Sequence, residues 1–550
     1  MALSHTSFAQ PLAMFPSAGA GQANALAVPS QTQPQTLAPQ PASCACQGAN
    51  PCACATPATS GLPSAQVALA QAGLGTLHTP PQLVGQYSSI GGFPLLHYQL
   101  GNGHQVLIEQ RPSEVVSLRT FIRAGSVDEA PVYPSPLYPK DGLPSGIAHL
   151  DEHCHFLTTQ HFNQPNQWVD TVEHLGADLN ASTGYEEIQH ELLFNHEDLP
   201  NLLQLHAEAV LHPSYQAQAI VQEKRNVINE CSERMAAPDA VAYSKLLELM
   251  FDRPHFQSLG NRSDIVGTTA DDIATYYQRY YTPTNMVTVI SGNVTPAEVL
   301  PLLNQQFGSV LPPVGDKPNE SGLKLALGQN EQRSVTLQDP QLTLSQVFLG
   351  FAGPSYHDPK RMIALQLLGK LLVDNPTSPI RKQLVDETHL ANAVGMDFEA
   401  YKNTGLVLFS LSTNPGQEQP ALAALKQQLQ QASQLPPDAD KLEAAKQQLL
   451  ATYDKMGTSV ASSSSILGGA LLHGTLNNVL NWPNILASIT PQDIQTIAAE
   501  TLTPQRNVTV FMQPGTLKAT SPKWSSTQGE LPNYEPAGTL VQPLSKKEGA

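Results

Sequence analysis

One segment of this chain occurs twice, and the repeat limits what the chain can fold into. Residues 269–289, TADDIATYYQRYYTPTNMVTV, align without gaps with residues 490–510, TPQDIQTIAAETLTPQRNVTV, at an offset of 221 residues and with nine identical positions. Each copy predicts a helix with a capped start, a Thr-Pro turn and a strand. A match that runs from a helix through a turn into a strand indicates two homologous domains of about 220 residues each.

The domain boundaries are predicted from changes in composition. The N-terminal part is rich in Ala, Gln, Pro and Ser and contains no Asp, Glu, Lys or Arg. This composition is typical of a low-complexity segment without fixed structure. We expect the chain to divide into an N-terminal extension at 1–88, a first domain at 89–310, a linker at 311–325, a second domain at 326–515 and a tail at 516–550.

The overall charge and hydropathy exclude several classes of partner. A net charge of −17 argues against nucleic acid. No apolar run approaches the roughly 20 residues that span a bilayer, so no membrane partner is expected. The N-terminus has neither the charge nor the apolar core of a targeting peptide, which makes the cytoplasm the default expectation. The extension contains four closely spaced cysteines, Cys44, Cys46, Cys52 and Cys54. They could form a small metal or disulfide knot, but their pattern is more typical of a low-complexity segment.

The stretch SGIAHLDEHCHF, residues 145–156, concentrates side chains that bind metals. Ser145 is predicted to cap a helix on which His149 and His153, four positions apart, share one face. Two such imidazoles can coordinate one ion, and Glu152 beside them can activate a metal-bound water without being a ligand. This order, HxxEH, is the inverse of HExxH. Two histidines on a helix are often only a polar surface, and a catalytic zinc needs a third ligand.

Candidates for the third ligand lie in AIVQEKRNVINEC, residues 219–231. Glu223 and Glu230 are two helical turns apart, so both carboxylates face the same way. By itself this pattern is more typical of a solvated helix edge. Cys154 and Cys231 adjoin the candidate ligands but are predicted to point about 100° away and to pack in the core.

The combination of HxxEH and a Glu that follows 76 residues later resembles the pitrilysin/insulinase family of zinc peptidases. Four more segments are similar to that family: NGHQVLIEQ, RAGSVDE, LGADLNASTG and YTPTNMVTVISGNV. The resemblance implies that one zinc ion per chain is bound by His149, His153 and Glu230. It also implies that Glu152 is the catalytic base and that Glu223 is an auxiliary glutamate of the same site.

The same resemblance implies the fold and the place where substrate binds. We expect an α+β fold of two homologous domains, each a mostly antiparallel sheet packed with helices, which together form half of a clam-shaped chamber. The second copy is expected to lack the metal motif, and no HxxEH occurs after residue 320. An edge strand is expected within residues 177–187, where Asn180, Ala181 and Ser182 contact an extended peptide. An ordinary interior strand is the alternative for this segment.

One departure from the family concerns the second domain. Active relatives carry an Arg–Tyr pair there, and the segment SPIRKQLVDETHLANAV, residues 378–394, has Val385 and Asn392 at the matching positions. We therefore expect a heterodimer with a paralogous chain that carries the pair, with a homodimer as the alternative.

The predicted function is a zinc endopeptidase that cleaves peptides or unfolded segments. A non-catalytic assembly subunit of the same fold is one alternative, and a binding protein with a structural zinc is another. His155 and His161 lie near the motif, and His155, two positions after His153, points off the ligand face. A surface position or a supporting role near the metal is expected for His155.

Overall fold

The computed structural model describes residues 79–129, 143–251, 259–260, 262–310 and 322–515. The predicted N-terminal extension up to residue 78, its four cysteines, most of the linker and the C-terminal tail therefore lie outside the described residues. Within the described part of the chain, no helix has the length and apolar character needed to cross a membrane.

The first half is built on a seven-stranded sheet in the order β1-β2-β3-β7-β4-β6-β5. The β3–β7 pair is parallel and the other pairs are antiparallel. Its strands are β1 (Gln82–Ser88), β2 (Pro94–Gln99), β3 (Gln105–Gln110), β4 (Val115–Ile122), β5 (Asp178–Thr183), β6 (Ile188–Asn195) and β7 (Met286–Gly292). Its helices are α1 (Ile147–Cys154), α2 (Gln167–His174), α3 (Leu199–Leu211), α4 (Ala217–Arg234), α5 (Pro238–Met250), α6 (Arg262–Gly267), α7 (Ala270–Tyr280) and α8 (Pro296–Gln306).

The second half contains a five-stranded sheet in the order β10-β11-β9-β12-β8. The β12–β8 pair is parallel and the other pairs are antiparallel. Its strands are β8 (Gln332–Asp339), β9 (Ser345–Gly353), β10 (Ala393–Ala400), β11 (Gly405–Thr413) and β12 (Asn507–Pro514). Its helices are α9 (Pro359–Gly369), α10 (Pro379–Arg381), α11 (Glu418–Gln434), α12 (Ala439–Met456), α13 (Val460–Leu472), α14 (Leu476–Leu480), α15 (Trp482–Ser488) and α16 (Pro491–Thr501).

The two sheets share one topology. When β3, β7, β4, β6 and β5 are set beside β8, β12, β9, β11 and β10, the spatial order and the strand directions agree, and β1 and β2 are an addition to the first sheet. The repeated segments occupy matching places, because α7 and α16 both begin with a capping box, formed by Thr269 with Asp272 and by Thr490 with Asp493. The predicted α+β fold of two homologous, mostly antiparallel sheets packed with helices is confirmed.

Strand β1 lies inside the segment that was predicted to be an unstructured extension. It begins at Gln82, before the expected domain start at residue 89, and pairs with β2 along its length. Its side chains are mostly exposed, including those of Leu83 and Val84. An edge strand with little burial has no clear alternation of apolar and polar residues, so its sequence, QLVGQYS, gives a weak strand signal.

Each half contributes a helix to the sheet of the other half. Helix α5 of the first half packs on β9 and β12, and helix α13 of the second half packs on β4 and β7. The fit is close, because a Cβ on Gly468 of α13 would lie 2.1 Å from the ring of Phe121 on β4. The two halves form one compact unit. Each half therefore completes the other half's core.

A row of buried polar side chains crosses the first sheet. His190, Thr120 and Thr288 are register neighbours on β6, β4 and β7. Thr120 Oγ1 lies 2.9 Å from Thr288 Oγ1 and 2.9 Å from His206 Nε2, and His104 Nε2 lies 2.9 Å from Thr288 Oγ1. Burial lowers the pKa of His104 and of His206 to about 3, and lowers the pKa of His190 well below its usual value. These imidazoles are therefore neutral in the folded chain near neutral pH.

Replacing His206 with Gln is expected to make the folded state less sensitive to acid. The pKa of His206 in the folded chain lies below the unfolded value of about 6.5. Above about pH 6.5 His206 is neutral in both states, so it contributes nothing to the pH dependence of stability. As the pH falls through that value, only the unfolded chain takes up the proton, and stability is lost at about 1.4 kcal/mol per pH unit. The free energy of unfolding should be measured with urea at several pH values between about 6 and 4. It should fall with decreasing pH less steeply in His206→Gln than in the native chain, by up to this amount. The exposed His174→Gln is the control, and an unchanged slope for His206→Gln would contradict the assignment.

Candidate metal centre

The motif that holds the candidate ligands forms helix α1, and carboxylates from elsewhere in the chain bind its N-terminus. Buried Glu129 accepts hydrogen bonds from the backbone N–H groups of Gly146, at 2.9 Å, and of Ala148, at 3.2 Å. Asp264 accepts from the backbone N–H of Ser145 at 3.1 Å. The prediction that Ser145 caps this helix was wrong: Gly146 is the cap residue, with φ 89° and no side-chain cap bond. Glu129 satisfies the free N–H groups instead, from 17 positions away in sequence.

The structure brings His149, His153 and Glu230 together, the last of these from helix α4. The two Nε2 atoms lie 3.2 Å apart, and Glu230 Oε2 lies 3.6 Å from His149 Nε2 and 3.5 Å from His153 Nε2. Two ligands of a tetrahedral zinc lie about 3.4 Å apart when the bonds are about 2.0–2.2 Å long. The three atoms therefore form a triangle of the size that one face of a zinc tetrahedron requires. Elsewhere in the described ranges, no other group of three His, Cys, Asp or Glu meets the same distance criterion.

The charges around these three side chains favour a cation between them. Burial opposes ionisation of Glu230, but His153, His149 and Arg234 outweigh it and lower the pKa of Glu230 to about 2. Burial also opposes a charge on His153, but hydrogen bonds with Glu223 and Glu230 outweigh it and raise the pKa of His153 to about 10. The carboxylates thus stabilise a positive charge at this point, whether it is a proton on His153 or a metal ion.

Glu223 orients the ring of His153. Its Oε1 lies 2.6 Å from His153 Nδ1, and its Oε2 accepts a hydrogen bond from Asn226 Nδ2 at 3.0 Å. A carboxylate on Nδ1 leaves Nε2 to face the ion, which is the usual arrangement around metal-bound histidines. Asn226 was not predicted, although its position three residues after Glu223 on one helix is a spacing at which side chains meet.

Glu152 lies beside the three candidate ligands without being one of them. It is buried, and its Oε2 accepts a hydrogen bond from Thr183 Oγ1 at 2.8 Å. Burial raises the pKa of the Glu152 carboxyl above its usual value, while His153 and Thr183 act in the opposite direction. A carboxylate with a raised pKa is a stronger base near neutral pH, which suits proton transfer. Thr183 was not predicted as part of the site.

The predicted substrate residues lie on an edge strand. Asn180, Ala181 and Ser182 belong to β5, which pairs with β6 on one side and ends the sheet on the other. Asn180 is exposed, and Ala181 and Ser182 are half-buried. The outer side of an edge strand presents backbone N–H and C=O groups that an extended peptide can pair with.

The face of α1 opposite the ligands packs in a polar part of the core. Asp151 accepts a hydrogen bond from Tyr215 Oη at 2.7 Å and lies 3.5 Å from His155 Nε2. His155 Nδ1 lies 2.7 Å from the carbonyl oxygen of Ala209. His155 is fully buried, so the structure excludes the surface position that its sequence left open.

The other neighbouring residues of the motif do not join the ligand set. Cys154 and Cys231 are buried and form no disulfide, which agrees with a packing role. His161 Nδ1 lies 2.9 Å from Glu208 Oε2, away from the candidate ligands.

The second half has no equivalent of the metal motif at the helix that matches α1. Helix α9, which follows β9 as α1 follows β4, has the sequence PKRMIALQLLG without His, Asp or Glu. Val385 lies half-buried in a π-helical segment, Lys382–Glu387, and Asn392 is exposed directly before β10. Neither residue supplies a guanidinium or a phenol.

Within the described residues, this duplicated α+β fold carries its His-His-Glu group in the first half only, an arrangement that suits a metal-dependent hydrolase. The family model described as Insulinase (Peptidase family M16) matches residues 105–261, and the model described as Peptidase M16 inactive domain matches residues 268–449. The chain belongs to this insulinase family of peptidases, family M16.

Relatives agree with this membership, and a solved structure agrees with the fold. The zinc protease PqqE of Helicobacter pylori is 23% identical over 377 residues, which cover 67% of this chain and 84% of the relative. The beta subunit of the mitochondrial-processing peptidase of Lentinula edodes is 26% identical over 333 residues, which cover 56% of this chain and 66% of that subunit. The crystal structure of a protease from Helicobacter pylori matches with a TM-score of 0.67 at 22% identity, over 76% of this chain and 99% of that chain, which supports the fold.

Proposed function

We propose that this chain is a zinc-dependent endopeptidase that cleaves peptides or unfolded segments and binds one zinc ion per chain. The observation that carries the proposal is the triangle of His149 Nε2, His153 Nε2 and Glu230 Oε2, with the buried carboxylate of Glu152 beside it. Membership of a peptidase family and relatives named zinc proteases support it.

In this proposal each residue of the site in the first half has a separate role in hydrolysis. When bound, zinc supplies a Lewis acid that polarises the scissile carbonyl and lowers the pKa of water. The free edge of β5 holds the substrate backbone in an extended form. Glu152 accepts a proton from the attacking water and donates it to the leaving amine. Thr183 fixes the Glu152 carboxylate, and Glu223 keeps Nε2 of His153 turned towards the ion.

A non-catalytic partner subunit is the second candidate function. The absence of Arg and Tyr at positions 385 and 392 favours it, because family members that carry the pair are expected to use it on substrate. A complete set of ligands together with a base argues against it, since a subunit without catalytic function has no need for both.

Mass spectrometry of an unfolded polypeptide after incubation with the zinc-loaded chain tests the proposal. Internal cuts are expected, and they should stop when a chelator removes the zinc. The same polypeptide in its folded form is the control and should remain intact. Removal of terminal residues only, or cuts that persist in the chelator, would exclude a zinc endopeptidase.

A paralogous chain with Arg and Tyr at the positions of Val385 and Asn392 is expected to raise the peptidase rate. Those groups can donate hydrogen bonds to the charge that develops on the scissile carbonyl, and one such donor contributes about 10²–10³ in rate. The rate of this chain should be measured alone and after co-expression with the paralogue. A paralogue with both residues replaced is the control. High activity of the single chain with no gain on adding the partner would contradict the expectation.

A further inference from the structure

The turn between β5 and β6, residues 184–187, connects the candidate metal centre with the second half of the chain, called here the metal-free half. Thr183, directly before the turn, holds the carboxylate of Glu152. The turn is closed by a hydrogen bond from the backbone N–H of Gly184 to the carbonyl oxygen of Glu187, 2.8 Å long. Its position therefore determines where the end of β5 places Thr183.

On one side the turn holds the segment that reaches the N-terminus of α1. The backbone N–H groups of Ser126 and Val127 donate to the carbonyl oxygens of Gly184, at 3.2 Å, and of Tyr185, at 3.0 Å. These donors lie in the 3-10 turn Ser126–Asp128, and the residue that follows it is Glu129, which caps α1. Thus one turn positions both the partner of the base and the cap of the metal helix.

The 3-10 turn Ser126–Asp128 approaches the turn at 184–187 so closely that position 125 requires a glycine. A Cβ on Gly125 would lie 2.4 Å from the carbonyl oxygen of Tyr185 and 2.7 Å from that of Gly184. Both contacts are backbone atoms, which cannot move aside as a flexible side chain can.

On its other side the turn is held by the second half. Glu186 Oε2 accepts a hydrogen bond from the backbone N–H of Lys402 at 2.9 Å. Glu187 Oε2 lies 2.9 Å from Nε2 of His473, and Nδ1 of His473 lies 3.1 Å from the hydroxyl of Tyr356. The side chain of His473 is 3% exposed and that of Glu187 is 17% exposed. Water therefore has little access to replace this hydrogen bond if it is lost.

Apolar packing holds the same turn. Tyr185 and Val127 are buried in a cluster whose other members come from α5, from Phe251 directly after it, and from residues 323–512. The ring of Tyr185 lies edge-on to that of Tyr401, with 5.9 Å between the ring centroids. The packing orders the turn against the second half, and the contact between Glu187 and His473 fixes its orientation.

We propose that His473, a residue of the metal-free half, is a positioning residue for the metal centre. Through Glu187 it holds residues 184–187 where Thr183 orients Glu152 and where the 3-10 turn brings Glu129 to α1. The metal-free half thereby acts on the catalytic site of its own chain. The inference rests on the proposed function in that Glu152 is the base.

Hydrogen exchange of the zinc-loaded chain tests this link without any substrate. In His473→Ala the amides of Ser126, Val127, Gly146 and Ala148 should exchange about 10-fold faster or more, because the turn that orders them is released. Glu187→Gln should produce a smaller increase at the same amides, and it provides the measurement if His473→Ala does not fold. The control is Ser345→Ala, which removes a buried hydrogen bond to Glu418 within the second half, away from the turn. Unchanged exchange in both turn variants, or an equal increase in Ser345→Ala, would overturn the proposal.

Kinetics then separate positioning from general destabilisation. His473→Ala should lower kcat about 10-fold and leave KM within about 2-fold, because the displacement falls on Thr183 and the base, while Asn180, Ala181 and Ser182 stay paired with β6. In a Thr183→Ala background the same substitution should cause little further loss, since both act on Glu152. A loss confined to KM, or full additivity of the two substitutions, would overturn the proposal. If the native chain hydrolyses no peptide, either alone or with the partner chain that carries Arg and Tyr, the proposed function fails, and the exchange result still decides whether His473 positions the turn.

Discussion

Replacing Glu152 with Gln is expected to leave zinc bound and to lower kcat by about 10²–10⁴. The amide keeps the size of the side chain and can still accept the hydrogen bond from Thr183. It cannot accept a proton from water, so the step that activates the nucleophile is lost. Zinc should remain, because Glu152 is outside the group formed by His149, His153 and Glu230.

Zinc content and kcat should be measured on the same preparation of Glu152→Gln. Glu173→Gln, an exposed position on α2, is the matched control and should retain the native rate. Turnover close to native in Glu152→Gln would show that another group is the base. Loss of zinc together with turnover would instead assign Glu152 to the ligand set.

Replacing His153 with Ala is expected to remove zinc from the chain and to abolish hydrolysis. The substitution deletes one of three ligand atoms, and it leaves the Glu223 carboxylate without the imidazole that lies 2.6 Å away. Loss of a partner outside the ligand set typically lowers metal affinity by about 10–100-fold, and loss of a ligand should exceed that range. Elemental analysis after dialysis, compared with the native chain, measures the effect.

His174→Ala controls for the loss of a histidine elsewhere in the same half, since His174 is exposed at the end of α2. It should retain one zinc per chain. A His153→Ala variant that also keeps its full zinc content would refute the proposed ligand set.

The duplicated fold could be predicted from the sequence because its evidence is local and occurs twice. The Thr-x-x-Asp cap, the Thr-Pro turn and the following strand are short-range patterns, and the structure shows them in both halves. The spacing of His149 and His153 is also local, since helical geometry alone puts them on one face. Glu230 is different, because it reaches the two histidines from another helix. Helical spacing cannot relate residues on separate helices, so only the resemblance to the family indicated Glu230.

The residues that support the site could not be predicted, because their contacts are long-range. Glu129 caps α1 from outside the helix, and Thr183 reaches Glu152 across 31 positions. Glu187 and His473 are 286 positions apart. No periodicity in the sequence marks such pairs, and in sequence each of these residues looks like an ordinary polar side chain.

The exchange of helices between the halves was also beyond the sequence. Both α5 and α13 bury apolar side chains, but nothing in their sequences says which sheet those side chains cover. Burial of His155 was missed for a related reason. A histidine in a polar motif is expected near the surface, and only the structure shows that its Nδ1 reaches the carbonyl oxygen of Ala209 and that its Nε2 lies 3.5 Å from Asp151 inside the core.

Titration of the metal-free chain with zinc, with peptide hydrolysis followed at each addition, tests the central claim most directly. The assay should be run on the chain alone and with the paralogue that carries Arg and Tyr. We predict that hydrolysis is absent without metal, rises with added zinc and levels off at one equivalent per chain. Hydrolysis that is unchanged in the absence of zinc, or a zinc-loaded chain that cleaves nothing even with its partner, would contradict the account.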